Sequence, residues 1–432
     1  MGTALDVCVR FGTPGRELAR TLPADAAEPL VDATTSAVSQ VFARADMARV
    51  PEPTRFELID RALKVMDDPC SRNPDVVECL CDMLYFMAVD TASQDEVRAS
   101  ALFHLVFRVM DRREDPQDSV VRKVCLLVER LAPQGGTQLT EHAKAVLAAM
   151  LFVLKDRSHI QSAVRIAAGV LPGLCSSSTV RKAFLDSDGL VAARTALHRY
   201  YPLANIDIID RLCNVIAAAV QGSSAAASRE DLLKDIASDL AIVLTRFAPE
   251  AGAATGGRKA ALLTLVSNAC RACSAIVRAV TGGTTPLSAA LVRSLLAGAE
   301  AAVAAHASST AYSRAATDLL VTMVERSGCA AAVARSSSWR PVVAMFVAGG
   351  GGGGGGSVWS GLNADGREGV CTAIASLCAR PEIAAALRPA LRSAGAQGAV
   401  QAWLRDLQAK SSSNSSRHQA ARRAIAEMDA GR

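Results

Sequence analysis

The sequence predicts an all-α fold built as a solenoid of helical repeats, and three observations carry that prediction. First, one helix pattern occurs twice within residues 159–221. Val164, Ala167, Ala168, Leu171 and Leu174 form an apolar stripe at helical spacing, and Ile209, Leu212, Cys213, Ile216 and Ala219 repeat it, offset by 209 − 164 = 45 residues. Between the copies TVRKAFLDSD reads as a short helix, and Asp188-Gly189 opens another with Leu190, Ala193, Leu197 and Tyr200 inward. A long, a short, a middle and again a long helix make one turn of a solenoid whose units bury each other's apolar faces.

Second, the small residue at the centre of the stripe recurs along the chain. It falls at Cys81, Cys125, Ala168, Cys213, Cys270, Thr317 and Cys371, giving successive differences of 44, 43, 45, 57, 47 and 54. The first three match the roughly 40 to 47 residues of helical repeat units. Third, 432 residues that are 50% hydrophobic but only 4% aromatic can bury a large core of small and aliphatic side chains.

Taken in order, 1–69 reads as irregular and capping helices, with TRFELIDRALKVMDD its clearest helix. Pro69 and Pro74 bracket a turn before the stripe Val77, Leu80, Cys81, Leu84 and Met87. Ala99, Leu102, Leu105, Val106 and Val109 predict the helix that follows, and Asp115-Pro116 ends it. Val121, Val124, Cys125, Val128 and Leu131 give the next long helix, and Val146, Ala149, Met150 and Val153 a middle one. Repeats are expected over 70–410, with flexible insertions near 221–229, 249–258 and 348–366. The last of these holds eight consecutive glycines, Gly349 to Gly356, too free in backbone to order. Residues 411–432 read as a Ser-rich joint and a terminal capping helix or tail.

The Gly189-Leu190 start of the middle helix and the pattern of the long helix after it resemble the armadillo repeat. The resemblance covers most of 70–430, strongly 117–220 and 366–408, and HEAT-type units stay open where no short first helix is visible. It implies a right-handed α-solenoid whose third helices line a concave groove. In that family a Trp and an Asn one turn apart commonly hold the backbone of an extended peptide. The corresponding pairs here are Asp82 with Phe86, Leu126 with Arg130, Gly169 with Gly173, Asn214 with Ala218, Arg271 with Ala275, Asp318 with Thr322, and Thr372 with Ser376. None keeps the ladder, which argues against import-signal binding of that kind. Pro172 is a second departure and is expected to bend the long helix or end it early.

The same alignment nominates the groove side chains. Arg122, Arg130 and Arg165 form a basic cluster, followed by Asp210 and, one turn on, Asn214. These five are the candidate protein-binding residues, and the cluster would hold an acidic segment of a protein partner. The competing reading is ordinary solvated charge on helix surfaces.

Signals for chemistry are absent. Cys270 and Cys273 have metal-like spacing, but no second CxxC or HxxxH lies at finger distance and both sit on one apolar stripe. The glycine tract lacks a following Lys-Ser/Thr, and no GxSxG occurs. Trp339, Trp359 and Trp403 are too dispersed for a stacking platform. No enzyme activity and no cofactor is therefore expected.

Net charge is 47 − 42 = +5 and the pI about 8.6, below the value above about 9 that marks a nucleic-acid-binding domain. The longest membrane-like run, Leu147 to Leu154, is far short of the ~20 residues of a span. The N-terminus shows no signal-peptide core, and Asp6 departs from the myristoylation pattern. Cysteines at apolar helix positions fit a reducing compartment, cytoplasmic and also open to the nucleus. The expected function is a non-catalytic scaffold or adaptor of unknown oligomeric state; the alternative is a regulatory or co-chaperone solenoid acting on a folded client or an ATPase.

Overall fold

The computed structural model describes residues 47–66, 74–108, 110, 116–132, 139, 141–280, 287–307, 314–325, 340–344, 359, 364–410 and 416–430. Its regular elements are all helical among those residues, an all-α solenoid in two compact units, 1–199 and 200–432.

Unit 1 contains α1 (Glu52–Met66), α2 (Pro74–Met87), α3 (Thr91–Ala99), α4 (Leu105–Arg108), α5 (Asp118–Leu131), α6 (Ala143–Asp156), α7 (Gln161–Leu174), α8 (Ser178–Asp186) and α9 (Gly189–Tyr200). The long helices α2, α5 and α7 stack in sequence, with α1 against α2 and α6 against α7. Unit 2 contains α10 (Ile206–Val220), α11 (Ser224–Ala227), α12 (Glu230–Ala253), α13 (Gly256–Val280), α14 (Ala289–Ala307), α15 (Arg314–Glu325), α16 (Arg340–Ala344), α17 (Ala364–Cys378), α18 (Pro381–Ser393), α19 (Ala396–Lys410) and α20 (Ser416–Asp429). Here α10, α13, α15, α17 and α20 stack in the same way, while α12 and α14 pack as a second layer. The terminal helix α20 thus occupies the next place in the row, turning His418, Ala421, Ala424 and Met428 inward.

The periodicity in the sequence explains the row in each unit. Cys81, Cys125 and Ala168 lie on successive long helices of unit 1, and Cys213, Cys270, Thr317 and Cys371 on those of unit 2, each no more than 1% exposed. Small residues at the centre of each stripe let neighbouring long helices approach closely. Every member of the two stripes at 164–174 and 209–219 is fully buried. Local signals set the helix starts: Asp90 accepts from the Ser93 N–H at 2.8 Å ahead of α3, Asn205 caps α10, and Pro381 opens α18.

Several expectations are corrected. The stripe Ala99 to Val109 is not one helix: α3 stops at Ala99, turn 101–104 intervenes, and α4 is a single turn. Ser100 takes extended backbone and its hydroxyl accepts from Leu102 N–H, so the inward residues become Phe103, Leu105, Val106 and Phe107; Val109 lies outside the described residues. The segment 249–258 is largely helical, whereas 221–229 is turn around the single helical turn α11. Ser223 caps α11 through the Ala226 N–H, and alanine there favours helix. Helix α12 runs through Pro249 to Ala253, and α13 starts at Gly256, whose φ of +60° makes the reversal. The long 57-residue interval is therefore filled by two long helices, α12 and α13. Pro172 neither ends nor breaks α7 at its position; the helix continues to Leu174, and so near its end the proline forgoes one backbone bond. Most of 348–366, glycine tract included, lies outside the described residues.

Helix α13 is long and apolar enough to cross a bilayer by length and composition, with 67% of its most apolar window buried inside the fold. It packs against α10, α12 and α15, as the central helix of a layered core does.

Candidate protein-binding face

On each long helix the residues opposite the buried stripe form a narrow row spaced by four. In α5 the row is Arg122, Leu126 and Arg130. Arg122 is exposed and has no partner among the described residues. Leu126 is 40% exposed on a helix whose other apolar side chains are buried. Arg130 is engaged: its Nε donates to the Ala88 carbonyl at 2.9 Å and its guanidinium lies 5.5 Å from the centre of the Tyr85 ring. Tyr85 in turn meets Phe86 edge to face at 5.4 Å.

In α7 the row is Arg165, Gly169 and Gly173. Arg165 pairs with Glu129 of α5 at 2.7 Å. The two glycines bring no side chain to the row. In α2, Asp82 receives Lys123 at 2.7 and 2.8 Å. The structure thus places the three predicted arginines on neighbouring helices of unit 1 and gives them different work. Arg130 and Arg165 brace one long helix to the next; Arg122 is available.

Asp210 and Asn214 lie on α10 of unit 2, both half-buried. Asp210 accepts from Asn268 Nδ2 of α13 at 2.6 Å, and Asn268 Oδ1 accepts from Arg271. Burial raises the Asp210 carboxyl above its ordinary range, against the opposing pull of that hydrogen bond. Further along, Arg278 of α13 donates to Thr322 Oγ1 of α15 at 3.0 Å. Positions that would carry a peptide-holding ladder are therefore partly taken up by braces between helices. Asp82 with Lys123 escaped the sequence reading, although their separation of 41 residues, close to the repeat length, was the available signal.

The described cysteines are chemically quiet. All nine are free and buried. Burial pushes the thiols of Cys125 and Cys175 up to about 12 and that of Cys378 up to about 11, so thiolate is scarce at neutral pH. No group of three or more His, Cys, Asp or Glu is arranged to hold a metal ion among the described residues. Trp359 and Trp403, dispersed in sequence, meet edge to face at 5.8 Å but are buried, so they are core and not a stacking platform.

No family model and no curated protein matches the chain. Among solved structures it is similar to one described with the words "a conserved phosphorylation switch controls the interaction between cadherin and beta-catenin", at 12% identity and a TM-score of 0.47, over 91% of this chain and 82% of that one.

Proposed function

We propose that the chain is a non-catalytic scaffold of armadillo-like type that holds a segment of a partner protein against the long-helix row of unit 1. The observation that carries this reading is the α5 row: an exposed leucine stands one turn from an unpaired arginine on one side and a braced arginine on the other. A leucine and a guanidinium side by side fit a partner segment in which a carboxylate neighbours an apolar side chain. Asp210 and Asn214 would supply polar contacts to a segment lying on unit 2. A reducing compartment such as the cytoplasm suits the nine buried free thiols.

The test is affinity capture from the source cell with three chains: the parent, Arg122→Glu/Leu126→Ala, and Lys182→Glu. Lys182 is exposed and unpaired on α8, away from the row, so its variant controls for overall charge. Bound proteins are quantified by mass spectrometry. We expect the dominant partner to fall about tenfold or more with the double variant alone. Equal recovery with all three chains removes the α5 row from the binding surface.

A further inference from the structure

Unit 2 carries a second exposed apolar surface, unrelated to the long-helix row. Leu203 and Ile242 are the two most exposed large hydrophobic residues among those described, at 67% and 50%. Scattered exposed leucines are normal on soluble proteins. These two differ in their relation to one held arginine, Arg246: Ile242 precedes it by one helical turn, and Leu203 follows by two residues the tyrosine that holds it. Arg246 lies one turn after Ile242 on α12, which puts the two on one face of the helix. Its guanidinium carbon lies 4.7 Å from the centre of the Tyr201 ring and 5.0 Å from that of Phe247, and the rings themselves meet edge to face at 6.0 Å. Its Nη1 donates to the Tyr201 carbonyl at 3.0 Å.

Leu203 sits two residues beyond Tyr201 on a turn that is built rather than loose. Ala204 holds a φ of +49°, a left-handed conformation that costs a β-carbon-bearing residue energy, and its N–H donates to the Tyr201 carbonyl at 3.1 Å. Asn205 then caps α10 through the Ile208 N–H. The Tyr201 carbonyl thus receives both the turn and the arginine.

The remaining guanidinium nitrogens of Arg246, Nε and Nη2, have no partner among the described residues. The nearest helical carboxylate, Glu250 one turn on, faces Arg258 at 3.5 Å. An arginine stiffened by two rings, with donors left over, an exposed isoleucine one turn before it and an exposed leucine two residues beyond its tyrosine, has the composition of an interface hot spot. Stacking removes the rotamer entropy that binding would otherwise cost.

We propose that turn 201–204 and the Ile242 to Arg246 stretch of α12 form a second docking surface. Its occupant is a protein segment that carries a carboxylate, for the free N–H groups of Arg246, beside apolar side chains that cover Leu203 and Ile242.

The probe is a phage-displayed random-peptide library panned on the full chain. Leu203→Ser/Ile242→Ser serves as counter-target, since exposed substitutions of this kind leave stability within about 0.5 kcal/mol. Selected peptides are expected to place Asp or Glu within a few residues of Leu, Ile, Phe or Met. They should bind the double variant and Arg246→Gln about tenfold more weakly, yet bind Arg122→Glu as they bind the parent. Circular dichroism checks that each variant is folded. Peptides without an acidic residue, binding that survives in the double variant, or a library that enriches nothing would each overturn the proposal. So would sedimentation showing a parent dimer that dissociates in the double variant, because the occupant would then be a second copy of the chain.

Discussion

The ring of Phe184 lies so close over Gly189 that a β-carbon at that glycine would stand 2.5 Å from three ring atoms. Phe184 is fully buried at the end of α8, so the ring has nowhere to go, and Asp188 just before it turns the chain with a φ of +56°. The short and middle helices of this repeat are locked together by the absence of one carbon atom.

Gly189→Ala should therefore destabilise the protein by about 1–3 kcal/mol, the usual range for overpacking. Gly398→Ala is the contrasting case, because a β-carbon there meets nothing within 4 Å on α19. It should gain about 0.5–1 kcal/mol from helix propensity. Denaturant midpoints of the two variants should move in opposite directions; a shared direction would contradict the packing described.

Leu174 closes the α7 stripe and is fully buried. Leu174→Ala should cost about 2–5 kcal/mol, as emptied leucine sites do. An unchanged denaturation midpoint would place the residue outside the core and shift the whole row.

The buried Arg55 joins the start of unit 1 to α3, donating to Ser93 Oγ at 3.0 Å, to the Val50 carbonyl at 2.7 Å and to Asp90. The Ser93 backbone N–H, then the Ser93 hydroxyl and the Arg55 charge, hold the Asp90 carboxyl below its ordinary range. A depressed carboxylate stabilises the fold above its unfolded pKa, about 3.9, and that contribution disappears as pH falls through the folded value. Asp90→Asn retains a capping oxygen but loses the charge. At neutral pH the variant should be less stable by about 1 kcal/mol or less, because the carboxylate is half exposed. The gap should stay constant from pH 7 to about pH 5 and close below about pH 4. A gap that widens in acid would mean Asp90 does not carry the effect.

Thiols buried in the core should resist alkylation. Iodoacetamide at mildly alkaline pH should label Cys79, Cys81, Cys125, Cys175, Cys213, Cys270, Cys273, Cys371 and Cys378 only slowly in the native protein and fast in denaturant. Mass spectrometry reads each site. Rapid native labelling at Cys213, Cys270 or Cys273 would show that the α10–α13 contact opens readily.

What was legible in the sequence was set by burial. A stripe recurring every 43 to 45 residues identified each long helix of unit 1 and its inward face, because core positions admit few residue types and so leave a period. Connecting segments misled for the opposite reason. Residues 249–258 look like a linker by composition, yet alanine is also the strongest helix former and the reversal at Gly256 joins two long helices there; in 221–229 only the single turn α11, capped by Ser223, is helical. The binding row was half legible. The alignment put Arg122, Leu126 and Arg130 on one face, but whether a surface arginine is spoken for depends on groups some 40 residues away, such as Ala88 and Glu129. Arg246 with Tyr201 and Phe247 went unseen because a stacked arginine leaves no periodic trace.

The braces between long helices bear on whether the repeats could be exchanged. Lys123 meets Asp82, Arg165 meets Glu129, Asn268 meets Asp210 and Arg278 meets Thr322, each time a different chemical pair. Identical braces would let any repeat follow any other, as beads on a string. With unlike ones, a transplanted repeat would set lysine where arginine is needed, or amide where carboxylate is needed, so the order of the repeats is written into the joints between them.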